Sequence, residues 1–148
     1  MAKQPGRKLL VMIGDGAETE TFSVLCGLTT KSMTINNNTI DVTTANCTAP
    51  GGQLWRESMT GIRSIAFSGN GRFEASASEK RMLAVAHGTG VEDEADAICN
   101  HQVIVPGLGT FQGAFHYDSC EYGGEIEDAV TYALTLSSAG VITFTAEA

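Results

Sequence analysis

Two cysteine–histidine pairs in the sequence could bind a metal ion. Cys99 and His101 are separated by one residue, and His116 and Cys120 by three. Each pair shares the parity of a β-strand and could point to one face, and tetrahedral zinc accepts thiolate and imidazole ligands. Neither spacing is the tight-turn spacing typical of zinc sites. We therefore expect no metal, and a structural zinc site is the alternative.

The other polar motifs do not give the arrangement of an enzyme. Gly69-Asn70-Gly71 lacks the further glycine, the lysine and the hydroxyl of a phosphate-binding loop. Acidic residues gather at 92–94 and 125–128 in turn-like segments, where charge runs are usually solvated. No nucleophile elbow or cysteine–histidine catalytic arrangement occurs. The sequence predicts neither an enzyme nor a cofactor.

The charge balance indicates whether the protein binds nucleic acid tightly. The 148 residues carry a formal net charge of −8 with only 9 lysines and arginines. Proteins that grip a phosphate backbone need clustered Lys and Arg, so this class is disfavoured. A protein that DNA passes without sticking remains compatible.

The length and the apolar runs bound the organisation and location of the chain. A chain of 148 residues fits one domain. The apolar run at 9–13 is too short for a signal peptide or a membrane span. Four scattered cysteines favour reduced thiols. We expect a cytoplasmic protein without membrane insertion.

The clearest element is a pair of alternating segments near the C-terminus, at 110–122 and 129–137. Period-two alternation predicts half-buried strands, and the Gly-rich acidic stretch 123–128 predicts a hairpin connection. One parity is apolar and the other is small and hydroxyl-rich. The apolar parity comprises Phe111, Phe115, Tyr117, Val130, Tyr132, Leu134 and Leu136.

Residues 61–73 repeat this two-faced pattern, with Ile65 and Phe67 on the apolar parity. Gly69 and Gly71 predict a bulge or the close approach of another backbone. Shorter strands are predicted at 9–13, 21–25, 32–35, 39–43, 101–105 and 141–145, with a turn at 36–38. A helix is predicted over 76–87. Its capping box uses the Ser76 hydroxyl and the Glu79 carboxylate, and Gly88 ends it.

The longest predicted irregular segment is 44–59, which contains the only tryptophan, Trp55. Long loops in compact domains tend to be functional, and Trp and Arg are enriched at binding hot spots. Trp55 beside Arg56 therefore suits an interface anchor. The alternative is that Trp55 folds back on its own core.

Taken together, six stretches resemble the major tail tube proteins of long-tailed phages and gene transfer agents. One of them is Gly61-Ile-Arg-Ser-Ile-Ala-Phe-Ser-Gly-Asn-Gly71, and the others are 6–16, 26–30, 40–44, 105–115 and 134–140. They cover nearly the full length in the family's order. The resemblance implies a mainly β fold, a sandwich or barrel of antiparallel strands with one flanking helix at 76–87.

The resemblance also implies a structural function. Residues 1–148 would be one tail tube domain, with an N-terminal arm at 1–8 and an inter-subunit loop at 44–59. Hexameric rings would stack into a hollow conduit for DNA, with Arg7, Trp55 and Arg56 between subunits. The hydroxyl-rich sides of the strands at 61–73 and 129–137 become candidates for the lumen lining. The candidate residues are Ser64, Ser68, Asn70, Thr131, Thr135 and Ser137. Alternatively, these parities face solvent on a monomer or the packing helix.

The implied partners are further copies of the chain, the tape measure, tail terminator and baseplate proteins, and DNA in transient passage. The implied location is the host cytoplasm during assembly and then the tail of the particle. The main competing function is a monomeric β-sandwich that binds or adheres, for example to carbohydrate, on a phage tail or a cell surface. A zinc-containing enzyme or regulator is a weaker third hypothesis.

Overall fold

The computed structural model describes residues 3–16, 18–45, 47–88 and 97–147. The predicted acidic loop around 92–94 lies outside them. The described chain begins with a 3-10 helix, Gly6–Lys8, and contains one α-helix, α1, at Ala77–His87. Its eight strands are β1 Leu10–Gly14, β2 Phe22–Val24, β3 Leu28–Asp41, β4 Ser58–Arg72, β5 Ile98–Val105, β6 Gly109–Gly123, β7 Thr131–Ser138 and β8 Thr143–Ala146. No described helix is long and apolar enough to cross a membrane.

All eight strands join one antiparallel sheet. Its order is β2-β1-β5-β6-β7-β4-β3, and β8 pairs with the first residues of β6. One edge of β6 pairs with two strands in turn. β8 pairs with it at Gly109–Gln112, and β7 pairs with it from Phe115 onward. The predicted mainly β, antiparallel fold with one helix is confirmed.

The sheet is curled around a single apolar core. Val11 on β1 and Phe67 on β4 belong to one buried cluster, although three strands separate β1 from β4 in the sheet order. A flat sheet would keep such residues apart, because neighbouring strands are about 4.8 Å from one another. Helix α1 packs on β1, β5 and β6 and contributes the fully buried Met82 and Val85.

The helix begins and ends as predicted, but one capping residue acts differently. The Ser76 hydroxyl accepts from the backbone N–H of Glu79, and Gly88 adopts the left-handed conformation with φ 78°. The Glu79 carboxylate, predicted to cap the helix start, is instead buried and accepts from the Tyr132 hydroxyl at 2.8 Å. The predicted second half of the capping box was therefore wrong. The partner on β7 is available only in the folded sheet.

Burial makes Glu79 an unusual carboxyl. Its other oxygen, Oε2, has no hydrogen-bond partner among the described residues. Loss of water around the carboxylate raises the pKa of Glu79, and the hydrogen bond from Tyr132 opposes that rise. Glu79 thus ties α1 to the sheet.

Strand β3 corrects the prediction of two short strands separated by a turn at 36–38. It runs without interruption from Leu28 to Asp41 and pairs with β4 on both sides of that turn. Between Asn37 and Thr39 the register shifts by one residue, because β4 contributes one residue more than β3 at that point. Asparagine favours turns locally, but continuous pairing with a long neighbouring strand satisfies the backbone and overrides that preference.

The predicted close approach at Gly69 and Gly71 is confirmed. A Cβ atom on Gly71 would lie 2.0 Å from the carbonyl oxygen of Gly27, which leads into β3. The register of β3 and β4 also shifts between Leu28 and Thr30. Glycine at 71 therefore lets the two backbones meet at the end of the sheet.

Candidate functional site: two exposed surfaces

The two cysteine–histidine pairs do not come together. A register shift between Tyr117 and Ser119 reverses the strand parity, so Cys120 aligns with the buried Leu134 while His116 aligns with Ser137 on the opposite face. His116 and Cys120 therefore point to opposite faces, and the zinc alternative is wrong. Among the described residues, no three His, Cys, Asp or Glu side chains are placed to share a metal ion.

His101 is held in the core by two hydrogen bonds. Its Nδ1 donates to the carbonyl of Cys99 at 3.0 Å, and its Nε2 accepts from the Tyr117 hydroxyl at 2.6 Å. Burial lowers the pKa of His101 to about 4, so the ring is neutral at physiological pH. His101 thus forms part of a satisfied buried network.

The first exposed surface is the face of β3, β4, β6 and β7 that lies away from the core. We call it the hydroxyl face. Its members are Thr30, Ser32, Thr34 and Asn36 on β3; Ser64, Ala66, Ser68 and Asn70 on β4; Thr131, Ala133, Thr135 and Ser137 on β7; and His116, Ser119 and Glu121 on β6.

The structure brings all six predicted lumen candidates onto this face. Ser68 aligns with Thr135, and Asn70 with Ala133, so the candidates on β4 and β7 form one continuous patch. Ser68, Asn70, Thr131 and Thr135 are exposed, whereas Ser64 and Ser137 are half-buried. The hydroxyl-rich sides of β4 and β7 therefore form one surface.

Charge on and beside the hydroxyl face is sparse and mainly acidic. Asp118 accepts from the Ser137 hydroxyl at 3.0 Å and from Nδ1 of His116 at 2.9 Å. At the end of the face, Arg72 pairs with Asp128, and its hydrogen bond lowers the pKa of Asp128. Asp118 and Glu121 therefore leave the surface hydroxyl-rich and slightly acidic.

Sequence reasoning missed the contribution of β3 to this face and the positions of Ser119 and Glu121 on β6. Thr30, Ser32, Thr34 and Asn36 alternate along β3, which was an available signal. The predicted turn at 36–38 hid its extent. Ser119 and Glu121 could not be assigned from parity, because the register shift in β6 reverses it.

The second exposed surface is the outer half of the β3–β4 hairpin with its loop, described at residues 37–45 and 47–63, which we call the arm. Among the described strands, this part of β3 and β4 pairs only with itself, since β7 first meets β4 at Ala66. Six residues of β4, from Ser58 to Arg63, span roughly 20 Å at 3.3 Å per residue. The arm therefore projects well beyond the body of the subunit.

The arm exposes large apolar side chains. Ile40 aligns with Met59 across the hairpin, and Trp55 in the loop is 75% exposed. Trp55 does not pack on the core, so the alternative for this residue was wrong. The exposed large apolar residues of the arm are Ile40, Val42, Leu54, Trp55, Met59 and Ile62.

The loop of the arm is fixed by side-chain hydrogen bonds where it joins the two strands. The Thr43 hydroxyl donates to the Asp41 carboxylate at 2.6 Å and accepts from the Glu57 backbone N–H at 2.8 Å. The hydrogen bonds from Thr43 hold the pKa of Asp41 below its usual range. Because β4 begins at Ser58, the irregular segment ends earlier than the predicted 44–59.

Arg7 and Arg56 occupy different places. Arg7 lies on the 3-10 helix and lines a groove with Pro106 and Glu147, beside the β5–β6 turn. Arg56 is exposed next to Trp55 in the arm. The three predicted inter-subunit residues thus fall on two separate surfaces.

A family model described as phage tail tube protein matches residues 3–144. Comparison with curated protein sequences gives no match.

Solved structures give further matches. A chain from the virion of a native gene transfer agent particle is 29% identical, with a TM-score of 0.79, and the match covers 97% of this chain and 100% of that one. A chain from the tail of an empty gene transfer agent particle, refined with helical and C6 symmetry, has a TM-score of 0.80 at the same identity and coverage. The SPP1 tail tube shares the fold at 12% identity, with a TM-score of 0.64 and coverage of 98% and 80%.

Proposed function

Because this chain belongs to the phage tail tube protein family and is a structural subunit of a tail tube, we propose that its copies form hexameric rings that stack into a hollow conduit for DNA. The observation that carries the proposal is the pairing of an apolar arm with a hydroxyl face on one sheet. The similar chain in the gene transfer agent tail comes from an assembly with C6 symmetry, which supports six subunits in each ring.

The arm is the proposed contact between subunits. Six large apolar side chains exposed on a projecting hairpin are unfavourable in water, and burying each one contributes roughly 1.5–3 kcal/mol. Trp55 and Arg56 are residue types enriched at hot spots. We assign the arm, including the loop within 44–59, to a groove or edge on a neighbouring subunit.

The edge of β3 supports closure of a ring. It is the last strand in the sheet order, so its 14 residues leave one row of backbone groups without a strand partner among the described residues. Long open edges tend to pair with another chain. If this edge pairs head-to-tail with a different edge of the next copy, a closed rotation gives a ring.

The hydroxyl face is the proposed lining of the lumen. Short hydroxyl side chains offer no cation to a phosphate, and Asp118 and Glu121 repel it. Lysine and arginine clusters would hold DNA through many phosphate contacts. A surface lacking them lets DNA move through the tube without pausing.

The same proposal covers partners and location. Residues 1–8, including Arg7, would tie one ring to the next within one tail tube domain spanning 1–148. Tape measure, tail terminator and baseplate proteins would contact the inside and the ends of the tube. Assembly would take place in the host cytoplasm, and the finished tube lies in the tail of the particle.

Electron microscopy of the purified protein over a concentration series tests the assembly. We expect rings or tubes of uniform diameter, together with a concentration-dependent rise in sedimentation rate. A protein that stays monomeric at high concentration, also when tail initiator proteins are added, would contradict the proposal. A monomer that binds a glycan would instead favour the adhesion hypothesis.

Cysteine labelling tests which surface lines the lumen. In assembled tubes, Ser68→Cys should react with a small maleimide but not with a maleimide attached to a large polymer. Trp55→Cys should resist both reagents because the arm is buried between subunits. Wild-type tubes give the background from Cys26 and Cys47, which are exposed in the subunit. Reaction of Ser68→Cys with the large reagent would place the hydroxyl face outside.

A further inference from the structure

An apolar groove lies where the arm leaves the body of the subunit. Here β4 is no longer paired with β7, and the groove between β4 and the segment 138–144 has a volume of about 720 Å³. Phe111 and Phe144 form one wall with ring centroids 4.9 Å apart. Ile62 at 77% exposure and Val141 at 87% exposure border the opening. Such an apolar opening on a surface marks a contact site.

One charged residue, Arg63, lies among the residues that line this groove. A partner that fills the groove should therefore present an apolar side chain flanked by acidic groups. The arm loop of another copy fits this requirement less well, since the residue next to Trp55 is the cation Arg56 and its one nearby carboxylate, Glu57, lies a residue further on.

The β6–β7 turn has the required chemistry. Its tip reads Glu125-Ile126-Glu127-Asp128, and Ile126 is fully exposed at 104%. The backbone N–H of Asp128 donates to the Glu125 carbonyl at 3.3 Å, which closes the turn around Ile126. Asp128 is engaged by Arg72, so Glu125 and Glu127 are the acidic groups that flank the isoleucine.

The tip and the groove lie at opposite ends of the same strand. Phe111 borders the groove, and β6 runs from there to Gly123 at the tip, about 40 Å away at roughly 3.4 Å per residue. A tip cannot reach the groove of its own chain over that distance. It can reach the groove of a copy placed end to end along the strand direction.

We infer that the β6–β7 tip of one subunit inserts into the arm-base groove of a second copy in the adjacent ring, with Ile126 in the apolar groove and Glu125 and Glu127 beside Arg63. This inference rests on the proposed stacking of rings and identifies a contact that sets their polarity. The contact joins two different surfaces, so it propagates in one direction rather than closing a symmetric dimer.

Mixed-tube cross-linking tests the contact. Ile126→Cys subunits are mixed with tagged Val141→Cys subunits, assembled and oxidised. A disulfide needs Cβ atoms about 3.8 Å apart, so only close neighbours react. We expect the mixed disulfide at least tenfold above the level obtained with Leu83→Cys. Leu83 is an equally large exposed residue on α1, and wild-type tubes give the background from native cysteines.

Two outcomes of the cross-linking experiment separate the inference from the proposed function. Normal tubes in which Ile126→Cys reacts no better with Val141→Cys than with Leu83→Cys would overturn the contact and leave the tube intact. A disulfide between Val141→Cys and Trp55→Cys would also overturn it, by placing the arm in the groove. Failure of wild-type protein to assemble would reject the proposed function itself.

A charge exchange keeps the contact testable if the cysteine variants assemble poorly. Arg63→Glu alone and Glu125→Arg with Glu127→Arg should each shorten tubes at least tenfold in electron micrographs. Combining all three changes in one chain should restore at least half of the wild-type length. Failure of the combined variant to improve on either set would count against the contact.

Discussion

The arm and the hydroxyl face use the same two strands for opposite purposes. β3 and β4 carry Ser32 and Ser68 side by side on the hydroxyl face, and further along they carry Ile40 beside Met59 on the arm. All four side chains are exposed in the subunit. Exposure alone therefore does not identify a contact surface. The chemistry of the exposed side chains distinguishes a surface that binds from one that lets a partner slide.

The largest effect is expected from a charge placed on the arm. Ile40→Asp should abolish assembly, because an unpaired carboxylate would be buried at the contact between subunits. Unfolding of the monomer should change by no more than about 0.5 kcal/mol, since the site is exposed. Sedimentation and denaturant unfolding measure the two quantities.

Ser32→Asp is the matched control on the hydroxyl face of the same strand. It should leave tube formation unchanged because this face stays in water. Equal loss of assembly in both variants would remove the proposed difference between the two surfaces.

The next effect concerns DNA. Ser68→Lys with Thr135→Lys places two cations on an aligned pair of the hydroxyl face. Tubes should still form, but DNA should bind at least tenfold more tightly, with the affinity falling steeply as salt rises. Ser68→Glu with Thr135→Glu is the opposite-charge control. If wild-type tubes bound DNA as tightly as the lysine variant does, the proposal that the hydroxyl face does not hold DNA would be refuted.

A smaller effect is expected from acid, which should lower the stability of the subunit without involving the arm or the hydroxyl face. The pKa of His101 is lowered from 6.5 to about 4, so the unfolded chain binds the proton more readily. Its contribution to stability is complete above pH 6.5 and is lost as pH falls toward 4, amounting to about 3 kcal/mol. Denaturant unfolding of the unassembled protein at pH 7.5 and 4.5 measures this loss.

Variants that cannot titrate at this position are the control for the pH effect. His101→Asn and His101→Gln lower stability at every pH, but the difference between the two pH values should shrink. An unchanged difference in both variants would show that other groups cause the acid sensitivity.

The smallest effect tests the assignment of faces on β7. Thr135→Ala should alter the free energy of unfolding by no more than about 0.5 kcal/mol and leave assembly intact. Leu134→Ala, one residue away on the core side, should cost about 2–5 kcal/mol. Similar costs for the two substitutions would mean that the hydroxyl face is packed.

The local sequence pattern was sufficient to predict several parts of the fold. The alternation in 110–122 and 129–137 predicted the β6–β7 hairpin, since period two follows directly from the geometry of a strand. Ser76 and Gly88 predicted the limits of α1 because capping depends on residues close in sequence. The six lumen candidates shared one face because β4 and β7 kept a regular register.

Sequence pattern alone predicted most of the strands, the position of the helix, the family resemblance and the chemistry of the two faces of β4 and β7. Contacts between distant segments set three further features: β3 continues through Asn36–Asn38, the register shift in β6 separates His116 from Cys120, and Glu79 accepts from Tyr132. The end of the pairing between β4 and β7 at Ala66 likewise opens the apolar groove. The reason is physical: side-chain alternation and capping are set by neighbours in the chain, whereas register, bulges and buried polar pairs are set by partners that meet only when the sheet has formed.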